Sequence, residues 1–381
     1  MEPKEWDFKS LDELALVERG KFSVRPRNDP RYFGGSIPFV QTGDISSAGT
    51  YLNQYTQTLN AEGVKVSKVF PKGTILITIA ANIGDTAITT FDVACPDSVV
   101  AIQPYKERVD VFWLKNVLDT KRDELDSQST QNAQKNINLQ VLKPLLIRTP
   151  PLLEQKMIAQ ILSTWDKAIA TTEQLLNNSQ KQKKALMQQL LTGKKRFSEF
   201  KEDWKHVELG SLLEYKQPTP YLVKSTDYND DYETPVLTAG KTFVLGYTNE
   251  SEGIYKDKLP VIIFDDFTTD SKFVDFPFKA KSSAMKILTA RDGVSIKYVF
   301  EAMQMLDFTI GGHQRHWISI FSNLVISIPE IAEQQKIASV LSTADSEIET
   351  LKQQLNRLEQ EKKALMQQLL TGKRRVKMEV A

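Results

Sequence analysis

Twelve consecutive residues of this 381-residue chain occur twice. Lys183–Lys194 and Lys362–Lys373 both read KKALMQQLLTGK, the second copy lying 179 positions after the first. At the same offset Glu154, Gln155, Ile158, Ala159, Leu162, Ser163, Thr164, Asp166 and Ile169 match Glu333, Gln334, Ile337, Ala338, Leu341, Ser342, Thr343, Asp345 and Ile348. No gap is needed from Glu154 to Lys194, whereas the rest of each half barely matches. Two nearly identical connectors and two divergent domains present two different surfaces on one frame.

The repeats read as helices. In the second copy Ile337, Leu341, Ala344, Ile348, Leu351, Leu355, Leu358, Leu365 and Leu369 alternate at four and three residues, with one break at Lys362. In the first, Ile158, Leu162, Trp165, Ile169, Leu176, Leu186 and Leu190 keep that register, interrupted by Thr172, Ser179 and Lys183. A seam returning every seven residues predicts a coiled coil. Pro150-Pro151 and Pro329 precede the helices, and Gly193 and Gly372 stand where a glycine ends one, followed by basic residues suited to the negative end of the dipole. Ser163-x-x-Asp166 and Ser342-x-x-Asp345 have the form of N-cap pairs, so each repeat also reads as a short helix followed by a longer one. The longer one, from about Ser163 to Leu191, would span roughly 40 Å. A turn of B-DNA is about 34 Å.

The segments between the repeats alternate differently. Gly34–Val40, Gly73–Ile79, Ala87–Thr90 and Val99–Ile102 are short β-branched runs bounded by turn residues, and a helix is expected over Val109–Asp126. The second half offers strands at Pro235–Thr238, Val261–Phe264 and Ala284–Leu288, then a helix from about Ser295 to Leu306. Both halves therefore read as α+β. Each opens on a similar phrase, Trp6 with Ser10–Leu14 and Trp204 with Leu209–Leu213. The divisions are 1–151 and 197–330 for the two variable domains, 152–196 and 331–376 for the repeats, and 377–381 for a tail.

Composition narrows the function classes. One cysteine, Cys95, excludes an internal disulfide framework and a Cys-rich zinc site, and fits a reducing cytoplasm. The charged opening MEPKEWDFKS has no secretory character, and no run approaches a membrane span, so a soluble cytoplasmic protein is expected. Net charge is only +1 but unevenly spread: residues 152–196 hold 8 Lys+Arg against 3 Asp+Glu, and residues 197–330 hold 14 against 20. A DNA binder so balanced would need a partner to supply much of the phosphate attraction.

Catalytic motifs are lacking. Gly240-Lys241-Thr242 has Pro235 where a phosphate-binding loop needs its first glycine, and no GxGxxG follows a strand. His313-x-x-His316 lacks cysteines or a nearby acidic ligand, and His206 is far from both. Thr149-Pro150-Pro151-Leu152 lacks the amide or acid, and the aromatic, of the motif used by amino-methyltransferases. The residues give no catalytic site.

Polar clusters fall where loops are expected. Asn and Gln amides match the N6/N7 edge of adenine, and Arg matches guanine O6/N7. The candidates for DNA contact are Arg25, Arg27, Asn28, Arg31, Gln41, Thr42, Asn82, Gln131, Asn132 and Lys135 in the first half, and Lys241, Thr242, Lys272, Gln314 and Arg315 in the second. On residue type alone such clusters are either solvated loops or base-reading surfaces.

Pro-x-x-Glu-Gln-x-x-Ile-Ala-x-x-Leu-Ser-Thr-x-Asp, then a long helix ending Lys-Lys-x-Leu-Met-Gln-x-Leu-Leu-Thr-Gly-Lys, twice per chain, resembles the DNA-specificity subunit of type I restriction–modification systems. The opening Trp phrases and the strand Lys72–Ile79 with Asn82–Gly84 resemble that family's target-recognition domains. The resemblance implies an α+β chain with two target-recognition domains, separated by two long antiparallel coiled-coil regions with pseudo-two-fold symmetry. Each domain would read one half of a bipartite site in double-stranded DNA. The helices would dock two methyltransferase subunits, and translocase or nuclease subunits would join in such systems. No cofactor is expected in this chain; S-adenosylmethionine, ATP and Mg²⁺ would belong to the partners. The other reading is a non-catalytic scaffold bridging partners through its coiled coil without touching DNA. The polar seam residues Thr172, Ser179, Lys183 and Lys362 are expected to weaken the helix pair and face partner subunits.

Overall fold

A computed structural model describes residues 6–128, 136–238, 242–306 and 316–376. The chain forms two compact units, one from residues 1–173 and 354–381, the other from residues 174–353.

In the first unit a five-stranded sheet runs in the order Ala15–Arg19, Val99–Pro104, Ile75–Thr78, Thr86–Thr89, Tyr51–Leu52. All its pairings are antiparallel except the last. Successive side chains of a strand point to opposite faces. Ile75, Ile77, Val100 and Ile102 thus enter one core with the helix Val111–Thr120, while Leu76, Ala87, Val99 and Ala101 enter another with Val40 and Phe70. Both faces are covered, which is why these strands read as continuous apolar runs. A four-stranded sheet holds Gln57–Leu59, Phe33–Phe39, Val93–Ala94 and Val69–Phe70 in that order. A ribbon pairs Asp7–Ser10 with Leu146–Thr149. The helix expected over Val109–Asp126 is two, Val111–Thr120 and Arg122–Ser127, with Lys121 leaving helical geometry at ψ 0°.

The second unit repeats the plan. Leu213–Lys216, Met285–Ala290, Val261–Asp265 and Ser271–Val274 form an antiparallel sheet, and a smaller sheet holds Val244–Thr248, Thr234–Leu237 and Lys279–Ala280. Its ribbon pairs Lys205–Glu208 with Val325–Ile328. The helix Ile296–Met303 is capped by Ser295, as Val111–Thr120 is capped by Asp110.

The repeats form helices α1, Leu152–Leu190, and α2, Ile331–Leu369, each of 39 residues. The break allowed at Ser163 is absent. Ser163 and Thr164 hydroxyls donate to the Gln160 carbonyl, and Thr343 donates to Ser339, so these residues bond back along a continuous helix instead of starting one. Gly193 and Gly372 adopt φ of 70° and 73° just past the helices, the left-handed geometry that ends them. The turn lets Lys195 N–H return to the Gln189 carbonyl, and Arg374 N–H to Gln368.

Within each unit the helix segments run antiparallel. In the first, Ile158, Ala159 and Leu162 share a core with Leu369 and Leu370, and Lys362 is paired with Asp166. In the second, Leu190 and Leu191 share one with Ile337, Ala338 and Leu341, and Lys183 meets Asp345 at 2.5 Å. The expectation for the polar seam residues is therefore corrected. Thr172 is buried with its hydroxyl on the Ala168 carbonyl, Ser179 donates to Glu347 at 2.8 Å, and both lysines have carboxylate partners inside their own unit. The Ser179, Lys183 and Lys362 bonds join the two helices, while Thr172 bonds back along its own.

Candidate nucleic-acid interface

Each variable domain is fastened to the helices by the same three-residue clasp. Glu154 sits in the first turn of α1 with none of its surface exposed. Trp6 Nε1 donates to it at 3.1 Å, and Arg375 grips it through Nε at 2.6 Å and Nη2 at 2.8 Å. In the second unit Glu333, equally buried, accepts from Trp204 Nε1 at 3.2 Å and from Arg196 Nε and Nη2 at 3.0 and 2.7 Å. Each guanidinium also lies 5.8 Å from the ring centre of the tryptophan in its clasp. A buried carboxylate needs its charge answered locally, and two planar donors plus an indole N–H do so. Next to this clasp, Gln155 accepts from Asp110 N–H and donates to the carbonyls of Pro150 and Arg108, while Gln334 accepts from Ser295 N–H and donates to Pro329. The repeated Glu-Gln pair thereby locks helix start to domain helix.

The second unit adds an ionic cluster. Lys183 bridges Asp345 and the buried Glu301, and Lys297 lies 2.7 Å from Glu301 and 2.8 Å from Asp345. Burial works against its charge, but the Lys183 and Lys297 ammoniums together hold the Asp345 carboxyl below its ordinary value. The first unit answers with one pair, Lys362 and Asp166, plus a hydrogen bond from Thr50 to Asp166 at 2.9 Å.

The candidate DNA contacts fall into distinct groups. Arg27 forms an ion pair with Asp97 at 2.8 Å, and Arg31 grips Asp29, which caps the turn Pro30–Tyr32. The charge of both arginines is thus partly spent within the surface. Arg25 turns to the Val24 carbonyl, and Asn28 is exposed. Gln41 and Asn82 are brought to one short helix, Thr42–Ser47, in which Thr42 is the first residue. Gln41 caps it, and Asn82 donates to Ser46 at 3.1 Å from the turn joining Ile75–Thr78 to Thr86–Thr89. Thr242 is exposed, its carbonyl accepting from Thr238 at 2.6 Å, and Lys272 is exposed on the edge strand Ser271–Val274. Gln131, Asn132, Lys135, Lys241, Gln314 and Arg315 lie outside the described residues.

Two further surface residues were not singled out by the sequence. Gln57 accepts from the Gln41 amide at 2.7 Å; its signal was its place in a polar run, QYTQTLN, next to a strand. Phe267, half exposed, sits on the turn before Ser271–Val274, with its N–H held by Asp265 at 2.8 Å. An apolar residue on a polar turn was the available clue.

Among the described residues no group of His, Cys, Asp and Glu is arranged to hold a metal ion, and no helix is long and apolar enough to cross a membrane. Cys95 is buried, which pushes its thiol up to about 12.

Residues 3–179 and again 201–360 match the type I restriction modification DNA specificity domain. A type I restriction enzyme specificity subunit of Escherichia coli is 48% identical over 177 residues, 43% of this chain and 44% of that protein. The type I restriction enzyme MjaVIII specificity subunit of Methanocaldococcus jannaschii is 24% identical over 98% of this chain and 97% of its own. The crystal structure of a type I restriction-modification S subunit from M. genitalium superposes with a TM-score of 0.68 at 15% identity, over 98% of this chain and 96% of that one.

Proposed function

Because this chain belongs to the type I restriction–modification DNA specificity family, we propose that each of its units reads one half of a bipartite site in double-stranded DNA. The observation that carries this is the pairing of constancy with variation. The same Trp–Glu–Arg clasp fastens both domains to their helices, while the loops above differ in chemistry: amides around Thr42–Ser47 in one, Thr242, Phe267 and Lys272 in the other. A frame held constant under changing loops suits a protein whose partners stay the same while its target sequence varies.

The helices then dock two methyltransferase subunits, and translocase or nuclease subunits complete the system. Catalysis belongs to those partners, with S-adenosylmethionine, ATP and Mg²⁺ held there; this chain contributes sequence selection in the cytoplasm. Near-neutral charge agrees, since phosphate contacts position a protein on DNA and can be shared, whereas base contacts specify. The test is a gel-shift with the purified methyltransferase partner, followed by sequencing of methylated sites. A complex forming on one bipartite sequence is expected. Partner binding without sequence-dependent DNA binding would instead favour a scaffold.

A further inference from the structure

The two domains differ at one matched place. Phe33–Phe39 leads through Val40 to Gln41, and Thr234–Leu237 leads to Thr238, each strand pairing in parallel with a short neighbour. Thr238 turns its hydroxyl back to the Thr242 carbonyl. Gln41 carries an amide held by a second amide: Nε2 donates to Gln57 Oε1 at 2.7 Å. Its backbone N–H donates to Asp44 Oδ2 at 2.8 Å, and the Thr56 hydroxyl reaches the same oxygen at 3.4 Å. Asp44 is buried, Gln41 and Thr56 are exposed, and Gln57 is paired with Phe39 across the sheet.

The result is a surface glutamine fixed through both main chain and side chain. One amide hydrogen is used on Gln57 and one carbonyl lone pair faces the Asp44 N–H of the capping box, leaving the second hydrogen and the second lone pair. That side-by-side donor and acceptor match adenine, whose major-groove edge offers N7 to a donor and an N6 hydrogen to an acceptor. A free glutamine would lose its rotamer freedom on binding, and the bond to Gln57 removes that loss beforehand. We propose that Gln41 reads an adenine in the half-site taken by the first unit, and that Gln57 is its positioning residue. This assignment rests on the DNA-reading function argued above.

The test uses the full chain assembled with its methyltransferase partner, binding duplexes in which each base pair of the recognised site is changed in turn. Wild type comes first: absence of any sequence preference would remove the DNA-reading function itself and leave no half-site to assign. Gln41→Met keeps side-chain length without donor or acceptor. It is expected to lose roughly ten- to a hundredfold discrimination at a single A·T pair of one half-site, with the other half-site read as before. Gln57→Met is expected to lower discrimination at that same pair by roughly three- to tenfold, and Gln57→Glu, which keeps the accepting oxygen, to retain it. Normal reading of the second half-site shows that each variant is folded. The assignment is overturned if Gln41→Met changes no position, relaxes a G·C pair, or weakens all sequences alike. An unchanged Gln57→Met, or one that relaxes a different pair, removes the positioning role.

Discussion

Glu154 and Glu333 have no exposed surface, so whatever answers their charge also decides whether the first turn of each helix can stay where it is. Glu333→Ala would strand Arg196 and the Trp204 indole together, and Glu154→Ala would do the same to Arg375 and Trp6. Each substitution is expected to cost about 2–3 kcal/mol, seen in urea as a lower midpoint with unchanged slope. Glu333→Gln, which keeps an acceptor for the indole, should cost less. The sequence displayed every member of these clasps, since both tryptophans, both glutamates and the basic residues after each glycine stood out. It did not display their meeting: Trp6 and Glu154 are 148 residues apart, and Glu154 and Arg375 are 221 apart. Only folding brings such residues together, and periodicity carries no information about it.

For the helices, legibility was good where a rule is one-dimensional. The seven-residue seam and the terminal glycines located both ends, because helix period and left-handed glycine geometry are local properties. The serines misled because a Ser-x-x-Asp pattern suits a helix start and a helix interior alike. Ser179, Lys183 and Lys362 misled for another reason, their partners being carboxylates on the opposite helix or, for Glu301, on the domain helix. One of these partners has a pH signature. Asp345 is held below its ordinary value of 3.8, so its contribution is present above the unfolded value and lost as pH falls through the folded one. Asp345→Asn is therefore expected to lower stability at neutral pH and to flatten the loss that wild type shows below about pH 4. Thermal melts across that range check it.

For the whole chain, the duplicated frame and the α+β content of both halves could be read directly, because apolar alternation and a repeat of identical letters need no partner to be seen. The candidate recognition surface was harder. Residue type nominated Arg27 and Arg31, yet Asp97 and Asp29 occupy them, while Gln57 went unnoticed until a strand placed it against Gln41. If the helices set the distance between half-sites, adding one heptad to each repeat keeps the seam in phase and lengthens each helix by about 10 Å. The preferred spacer should then change by about three base pairs, read by sequencing methylated sites. An unchanged spacer would show that the helices do not set it.

One unit is built from a single stretch, residues 174–353, whereas the other waits for residues 354–376 before Arg375 can reach Glu154. During synthesis the ribosome therefore makes most of the first recognition domain early and its clasp last. The domain translated first is thus the one whose clasp is supplied last, and an unfinished message yields a nascent chain in which Trp6 and Glu154 have no arginine to meet.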